Sequence, residues 1–545
     1  MRRCAGNISA SDLDKILDKI LDKILDKVID WEDRMNIGSV LRNAARAAPK
    51  RVAVIHGDLR RTYQDVNARA DRLASALEGA GLRRGDRVAI LQRNCPELLE
   101  TLFAIFKAGA IAVPINARLH PKEFAYILAD SGAKAVIFTE EFASGLDSVR
   151  GELPELAVMV CAGAAPAWAR SYDAFLAAGA PLHTDVDCAA DDIAWLFYTS
   201  GTTGKPKGAM VTHANLAFMS DHFPREVYRL RGDDVVMHAA PLTHGSGLWA
   251  LPITAGCGTH VIPVTASFDP EQIFKLIEAE CVTVIAFLAP TMITMLLNSS
   301  AIDRYDMSSL RFIGYGGSPM YVEDLKRAVR CWGPIFCQIY GQGETPMTIS
   351  MLTPDDHRLS SDPLAESRLA SAGRAREDII VAILDDADRE VGPDQIGEIA
   401  IRGDVVMRGY WNKPEASQAA FKNGWYHTGD LGKRDADGYI YLLDRKKELI
   451  ISGGANIYPR EVEEALLLHP GVLEVAVIGI PDRLWGESVV AVVRPRPGAV
   501  PTEKELIELC HQHLARYKKP RFFRFAADLP KNAYGKILKR ELKEH

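Results

Sequence analysis

Residues 200–208 read SGTTGKPKG, with three glycines, three hydroxyl side chains and two lysines in nine positions. Gly201, Gly204 and Gly208 let the backbone turn tightly and present amide hydrogens to an anion. Ser200, Thr202 and Thr203 add hydroxyl donors, and Lys205 and Lys207 add positive charge. Such a set suits a polyphosphate. It is not the loop of the nucleotide triphosphatases, which needs four residues between its first glycine and Gly-Lys-Ser/Thr. Here Gly201 and Gly204 are too close and Pro206 follows Lys205. Taken alone, the stretch also suits a plain turn.

Other segments carry groups that could act beside it: GYGGSP (314–319), YGQGET (340–345), YHTGD (426–430), DRKKELIISGGANIYPREVE (444–463) and LPKNAYGK (529–536). Each combines glycines with a carboxylate, a lysine or an aromatic ring. Read singly, Glu344 is a surface acid, Asp430 a turn residue, Tyr340 a core tyrosine, Lys536 a surface lysine and DRKKE a solvated charge run.

The elements that must position these groups follow an α/β grammar. Ile193–Tyr198 is an apolar run that reads as a buried strand leading into the loop. Upstream, Arg87–Leu91 reads as a strand, Asn94 as the cap of the next helix with Pro96 in its first turn, and Ala110–Ile115 as another strand. A helix over Pro121–Ser131 ending at Gly132, then a strand over Ala133–Phe138, repeats the pattern, as does Ile273–Phe287. This predicts a large N-terminal domain of mostly parallel sheets and helices, with ligands at the carboxyl ends of strands. After about residue 440 a compact α+β stretch follows. Its strands fall near 474–480 and 487–494, and Thr502 and Glu505 form a capping box on a helix. The expected division is a leader over 1–34, a large domain over 35–443, a joint at 444–447 and a small domain over 448–545.

The leader contains LDKILDKILDKILDKVI, residues 13–29. Its apolar residues make an amphipathic helix, but a four-residue period drifts about 40° per repeat, so no straight coiled-coil seam results. It would serve self-association into a homo-oligomer or contact with a membrane surface; the plainer reading is a tandem expansion ahead of the domain.

Composition narrows the class. The chain has 545 residues, 48% apolar and 25% charged, as in globular proteins large enough for two or more units. A net charge of −6 provides no basic field for nucleic acid. The nine cysteines are scattered without a CxxC pair, which suits a reducing compartment rather than a disulfide or zinc framework. The start lacks the apolar core of a signal peptide, and the longest apolar run, Val282–Leu297, is short for a membrane span and contains Pro290. A cytoplasmic enzyme is expected.

YTSGTTGKPKGAMVTH (198–213), with the five motifs above in order, resembles the adenylate-forming superfamily of acyl-CoA synthetases, luciferases and peptide-synthetase adenylation domains. The resemblance spans roughly residues 35–540. It implies that a carboxylate attacks the α-phosphate of ATP, releasing pyrophosphate, and that a thiol then displaces AMP. Two anions meet in the first step, so positive charge and positioning should carry it. The resemblance implies ATP contacts from Thr199, Ser200, Gly201, Thr202, Thr203, Gly204 and Lys207. Lys536 would reach both substrate carboxylate and phosphate, and Glu344 would hold Mg²⁺, a hard cation that prefers oxygen. Asp430 would accept the ribose hydroxyls, with Arg445 in support. Tyr340 and Gly341 would face adenine across Gly316, Gly317 and Ser318. Lys447 would be the hinge of a mobile small domain, Gly453 and Gly454 the channel for CoA, and His244 in PLTHGSG a residue at the mouth of the acyl pocket.

Two departures stand out. The family usually carries Thr before the metal glutamate; Gly343 stands there and Thr345 follows instead. Ile451 stands where some relatives place a lysine for thioester formation. The acyl pocket should draw on 241–249, 287–292, 314–319 and 338–347. PLTHGSGLW, FLAPTM and GYGGSP hold no Arg or Lys to pair a second carboxylate, so the expected substrate is an apolar monocarboxylate, fatty or aromatic. The expected activity is acyl-CoA ligation with ATP, Mg²⁺ and CoA. The alternatives are acyl transfer to a carrier-protein thiol or other acceptor, disfavoured because no carrier domain follows Lys536, and a catalytically inactive nucleotide-binding scaffold.

Overall fold

The computed structural model describes residues 35–180, 185–199, 205–222, 227, 230–265, 267–318, 320–360, 362–445, 448–452, 455–531 and 537–543. The leader, Ser200, Gly201, Thr202, Thr203, Gly204, Lys447, Gly453, Gly454 and Lys536 lie outside the described residues.

Two large sheets form the frame. In the first, Arg170–Ser171, Val158–Ala162, Ala133–Thr139, Arg87–Leu91, Ile111–Pro114 and Ile193–Thr199 run parallel, and Lys207–Thr212 closes the edge as an antiparallel hairpin partner of Ile193–Thr199. In the second, Phe336–Gln342, Phe312–Gly316, Val284–Leu288, Val235–Met237, Thr259–Val261 and Val52–His56 are parallel, with antiparallel strands at both edges. The strands are apolar on both faces because helices cover each side. Trp195 and Trp249 are fully buried in the core they share.

The helices start and stop where local chemistry directs. Pro121–Ser131 begins at a His120–Glu123 capping box and ends on Gly132 in the left-handed region, φ 62°. Glu503–His513 carries the expected Thr502–Glu505 box. Asn94 corrects an expectation: Cys95 occupies the cap position of Pro96–Lys107, without a side-chain bond. The Asn94 amide instead spans to a distant segment, accepting from Leu242 N at 2.7 Å and donating to Ala240 O at 2.9 Å and His238 O at 3.3 Å.

A third sheet, antiparallel, follows: Ile380–Leu384, Gly397–Arg402, Trp425–Arg434 and Phe421–Lys422 in order, with Ile440–Arg445 pairing Trp425–Arg434. The small C-terminal domain is α+β. Val472–Asp482 and Gly486–Pro495 form its long hairpin, joined by Ile450–Ser452, Ala455–Ile457 and the parallel strand Phe522–Phe525. It has its own interior around Ile450, Val462, Val475 and Leu506. Val282–Leu297 divides into a buried strand and the helix Pro290–Leu297, and among the described residues no helix is long and apolar enough to cross a membrane.

Candidate active site

The hairpin Ile193–Thr199/Lys207–Thr212 delivers both ends of the glycine-rich loop, with Thr199 opposite Lys207. Its base is braced by Asp130. That carboxylate accepts the Tyr198 hydroxyl on Oδ2 at 2.9 Å, and Lys413 Nζ and the Tyr126 hydroxyl on Oδ1 at 2.7 and 3.1 Å. Lys205 and Lys207 each lie over a ring, Tyr126 at 5.1 Å and Tyr410 at 4.9 Å. The loop's two cations are thereby held on aromatic faces where the chain enters the strand Lys207–Thr212.

Glu344 sits in the tight turn between Phe336–Gln342 and Thr345–Leu352 and is only 7% exposed. Its Oε1 accepts from Thr199 Oγ1 at 3.0 Å and the Tyr410 hydroxyl at 2.9 Å. The buried carboxylate is thus tied to the residue that opens the loop. Among the described residues no group of three or more acids, histidines or cysteines could hold a metal by itself. One buried hard carboxylate beside the glycine-rich loop is a donor of the kind that a hard cation such as Mg²⁺ prefers.

The turn also accounts for Gly343. A Cβ there would lie 2.4 Å from Phe197 Cδ1 and 2.6 Å from Thr199 Cγ2. The Phe197 ring occupies the place a threonine side chain would need. Thr345 does not take over at the cleft: it is fully buried and its hydroxyl accepts Gln342 N within the turn.

Parallel strands bring Gly316 and Ile339 into register, so Gly316–Ser318, where the strand Phe312–Gly316 ends, lies beside Tyr340–Gly341 of the next strand. Asp430 and Arg445 come from the antiparallel sheet. Asp430 Oδ1 faces Arg445 Nε at 2.6 Å, and Oδ2 accepts from the Tyr340 hydroxyl and Gln342 Nε2, each at 2.7 Å. Gln342 is held in turn by the Tyr426 hydroxyl at 2.8 Å. Burial, and then the Asp430 charge, push the Tyr340 phenol well above its usual range, so it remains a donor. A carboxylate has about four acceptor positions. Three are filled here, so accepting two ribose hydroxyls requires one internal donor to move aside. Gly317, Ser318, Tyr340, Gly341, Asp430 and Arg445 line one cleft of about 730 Å³.

The far wall of that cleft belongs to the small domain. Lys539 Nζ lies 2.9 Å from Glu463, 3.7 Å from Glu448 and 3.9 Å from Asp444. Burial, partly offset by Lys539, raises the Asp444 pKa to about 6.

His244 precedes the short helix Gly245–Leu248, its ring centroid 5.0 Å from that of Phe197. Burial lowers its pKa to about 4, so it is a neutral imidazole near pH 7. Met347 adopts a left-handed backbone, φ 56°, unusual for this residue type. Its sulfur packs where a side chain at Gly245 would be, 2.9 Å from an ideal Cβ. Behind this helix lies a buried chain of polar groups. His238 Nε2 and His260 Nδ1 are 2.9 Å apart, His260 Nε2 meets Thr254 Oγ1 at 3.1 Å, and His238 Nδ1 meets Ser246 Oγ at 3.4 Å.

The structure therefore brings Thr199, Lys207, Glu344 and Tyr410 into one group, and Tyr340, Gln342, Asp430 and Arg445 into another. Tyr410, Lys539 and Asn94 carry no site signal in the sequence, and Gln342 enters only through the stretch 338–347 expected at the acyl pocket. The glutamine of YGQGET was the one available signal, because a polar residue between two glycines of a tight turn has few reasons to be core.

The fold and site define an adenylate-forming enzyme, and the comparisons agree. The AMP-binding enzyme pattern matches residues 41–411, and the AMP-binding enzyme C-terminal domain matches residues 461–536. The chain belongs to this family. It is 39% identical over 507 residues to a feruloyl-CoA synthase of Amycolatopsis sp, covering 93% of this chain and 98% of that protein. It is 36% identical over 515 residues to the long-chain-fatty-acid–CoA ligase FadD13 of Mycobacterium tuberculosis, covering 93% and 98%. The crystal structure of ATP-bound MatB from Rhodopseudomonas palustris superposes with a TM-score of 0.84 at 30% identity, covering 94% of this chain and 98% of that one. Acid–CoA ligases are thus among its relatives.

Proposed function

We propose that the protein is an ATP-dependent acyl-CoA ligase that activates an apolar monocarboxylic acid, fatty or aromatic, and transfers the acyl group to CoA. The observation that carries this reading is the Thr199–Glu344 hydrogen bond of 3.0 Å, which ties a buried carboxylate to the mouth of the phosphate loop. Relatives named for feruloyl-CoA synthesis and for long-chain-fatty-acid ligation support an apolar acid of either kind.

In the first step a substrate carboxylate oxygen bonds to the α-phosphorus of ATP and the bond to pyrophosphate breaks. Lys207 and Lys536 supply positive charge to the meeting anions. Glu344 would hold Mg²⁺, which when bound neutralises phosphate charge. Asp430, Arg445, Tyr340 and Gly341 fix the nucleoside against Gly316, Gly317 and Ser318. The second step forms a thioester bond from the CoA sulfur to the acyl carbon; AMP leaves and the thiol proton passes to solvent. A neutral His244 at the pocket mouth presents a polar edge without a charge to desolvate. On this reading the units are 35–443 and 448–545, joined at 444–447 with Lys447 as the hinge, and Gly453 and Gly454 line the route of CoA.

Pyrophosphate release is measured against fatty acids of graded length and aryl acids, with and without CoA and with a pantetheinylated carrier protein. The expected result is acid-dependent release, with acyl-CoA formed in preference to acyl-carrier. Replacing Lys536 with Ala should slow acyl-AMP formation about 100-fold or more, as loss of a transition-state charge partner does. Faster turnover of a dicarboxylate than of any monocarboxylate, or preference for the carrier, overturns the substrate or acceptor assignment. Absence of release with every acid favours a nucleotide-binding scaffold.

A further inference from the structure

Tyr410 lies between two charged groups of the site and comes from neither of their chain segments. Its hydroxyl donates to Glu344 Oε1 at 2.9 Å, and its ring receives Lys207 Nζ at 4.9 Å. The residue is held in place by main-chain pairing. Tyr410 bridges Ala209 in antiparallel register, Met210 N donates to Gly409 O, and Trp411 N donates to Gly208 O, both at 2.8 Å. Tyr410 N donates to Ser417 Oγ at 2.8 Å. The segment 408–411 thereby adds to the strand by which the chain leaves the phosphate loop. Three residues on, Lys413 bonds Asp130, the carboxylate that also takes the Tyr198 hydroxyl.

We propose that Tyr410 is a positioning residue for the cation and polyphosphate: its hydroxyl fixes Glu344 Oε1 so that Oε2 serves the metal, and its ring holds Lys207 for the phosphates. The assignment rests on the reading of the protein as an ATP-dependent ligase with Glu344 as the metal carboxylate. The two tasks belong to different parts of one side chain, so they separate by substitution. Tyr410→Phe keeps the ring and removes the hydroxyl; Tyr410→Leu removes both.

Mn²⁺ binding is read by electron paramagnetic resonance in the presence of a non-hydrolysable ATP analogue, alongside Mg²⁺ titrations of acid-dependent pyrophosphate release. Loss of a partner that orients a metal ligand weakens metal binding about 10- to 100-fold. Tyr410→Phe should raise the Mn²⁺ Kd and the half-saturating Mg²⁺ concentration by about tenfold, the low end of that range. It should leave binding of the metal-free analogue unchanged, whereas Tyr410→Leu should also weaken that binding by about 2- to 5-fold. In a Glu344→Gln background, Tyr410→Phe should add nothing to the Mn²⁺ Kd, a non-additivity that general loosening of the fold does not produce. Wild-type Mn²⁺ affinity in a Tyr410→Phe protein with an unchanged melting curve overturns the assignment and leaves the ligase reading intact. Absence of acid-dependent release from the wild type overturns both.

Discussion

Asp430 and Arg445 face each other across adjacent antiparallel strands, with Arg445 Nε 2.6 Å from Asp430 Oδ1. Tyr340 and Gln342 hold the other carboxylate oxygen, so the group is oriented before any nucleotide arrives. Asp430→Asn removes the charge from every one of these contacts. Hydrogen bonds to a charged group contribute about 1.5–3 kcal/mol, so the KM for ATP should rise about 10- to 100-fold while kcat changes less. Steady-state pyrophosphate release against ATP concentration checks this, and an unaltered KM would remove Asp430 from the nucleotide site.

Gly343 adjoins the proposed metal carboxylate, and the Phe197 ring already fills the space its side chain would take. Gly343→Thr, which restores the usual family residue, should therefore destabilise the protein by about 1–3 kcal/mol rather than improve it. Adding Phe197→Val should recover part of that loss. Thermal unfolding of the single and double variants decides the matter; a fully stable Gly343→Thr protein contradicts the packing account.

Asn94 bonds three main-chain groups of the segment that carries His244. Asn94→Ala leaves those groups without a protein partner, at a cost of about 1–3 kcal/mol. The KM for the acid should rise more than that for ATP, because the segment borders the proposed acyl pocket. Equal effects on both would indicate general loosening.

The buried pair His238–His260 makes stability depend on pH. Burial lowers the His238 pKa to about 3, and burial followed by its neighbour's charge holds His260 well below the usual value. An unfolded histidine titrates near pH 6.5, so between these values the unfolded chain binds more protons than the folded one. The stabilisation is complete above about pH 6.5 and is lost as pH falls toward 3. For His238 alone the loss by pH 5 is about 2 kcal/mol. Urea unfolding at pH 7 and pH 5 should show it, and His238→Gln should flatten the slope.

What could be read along the chain was what local chemistry settles. The buried strand Ile193–Thr199, the helix Pro121–Ser131 with Gly132, and the Thr502–Glu505 box depend on neighbours within a few residues. Asn94 has the local look of a cap, but its actual partners lie 144–148 residues away. Tyr410 carries no local signal for the same reason, since it meets Glu344 across 66 positions. The antiparallel sheet over residues 380–445, which supplies Asp430 and Arg445, depends on pairings between separated segments that no local pattern encodes.

The apolar interiors of the two domains do not merge. Among the described residues, no hydrophobic cluster joins side chains before residue 445 with side chains after 449. What spans the seam includes ionic contact, such as Lys539 with Asp444. Parting the lobes would therefore tear no shared apolar core, so the heat capacity should change little as they separate.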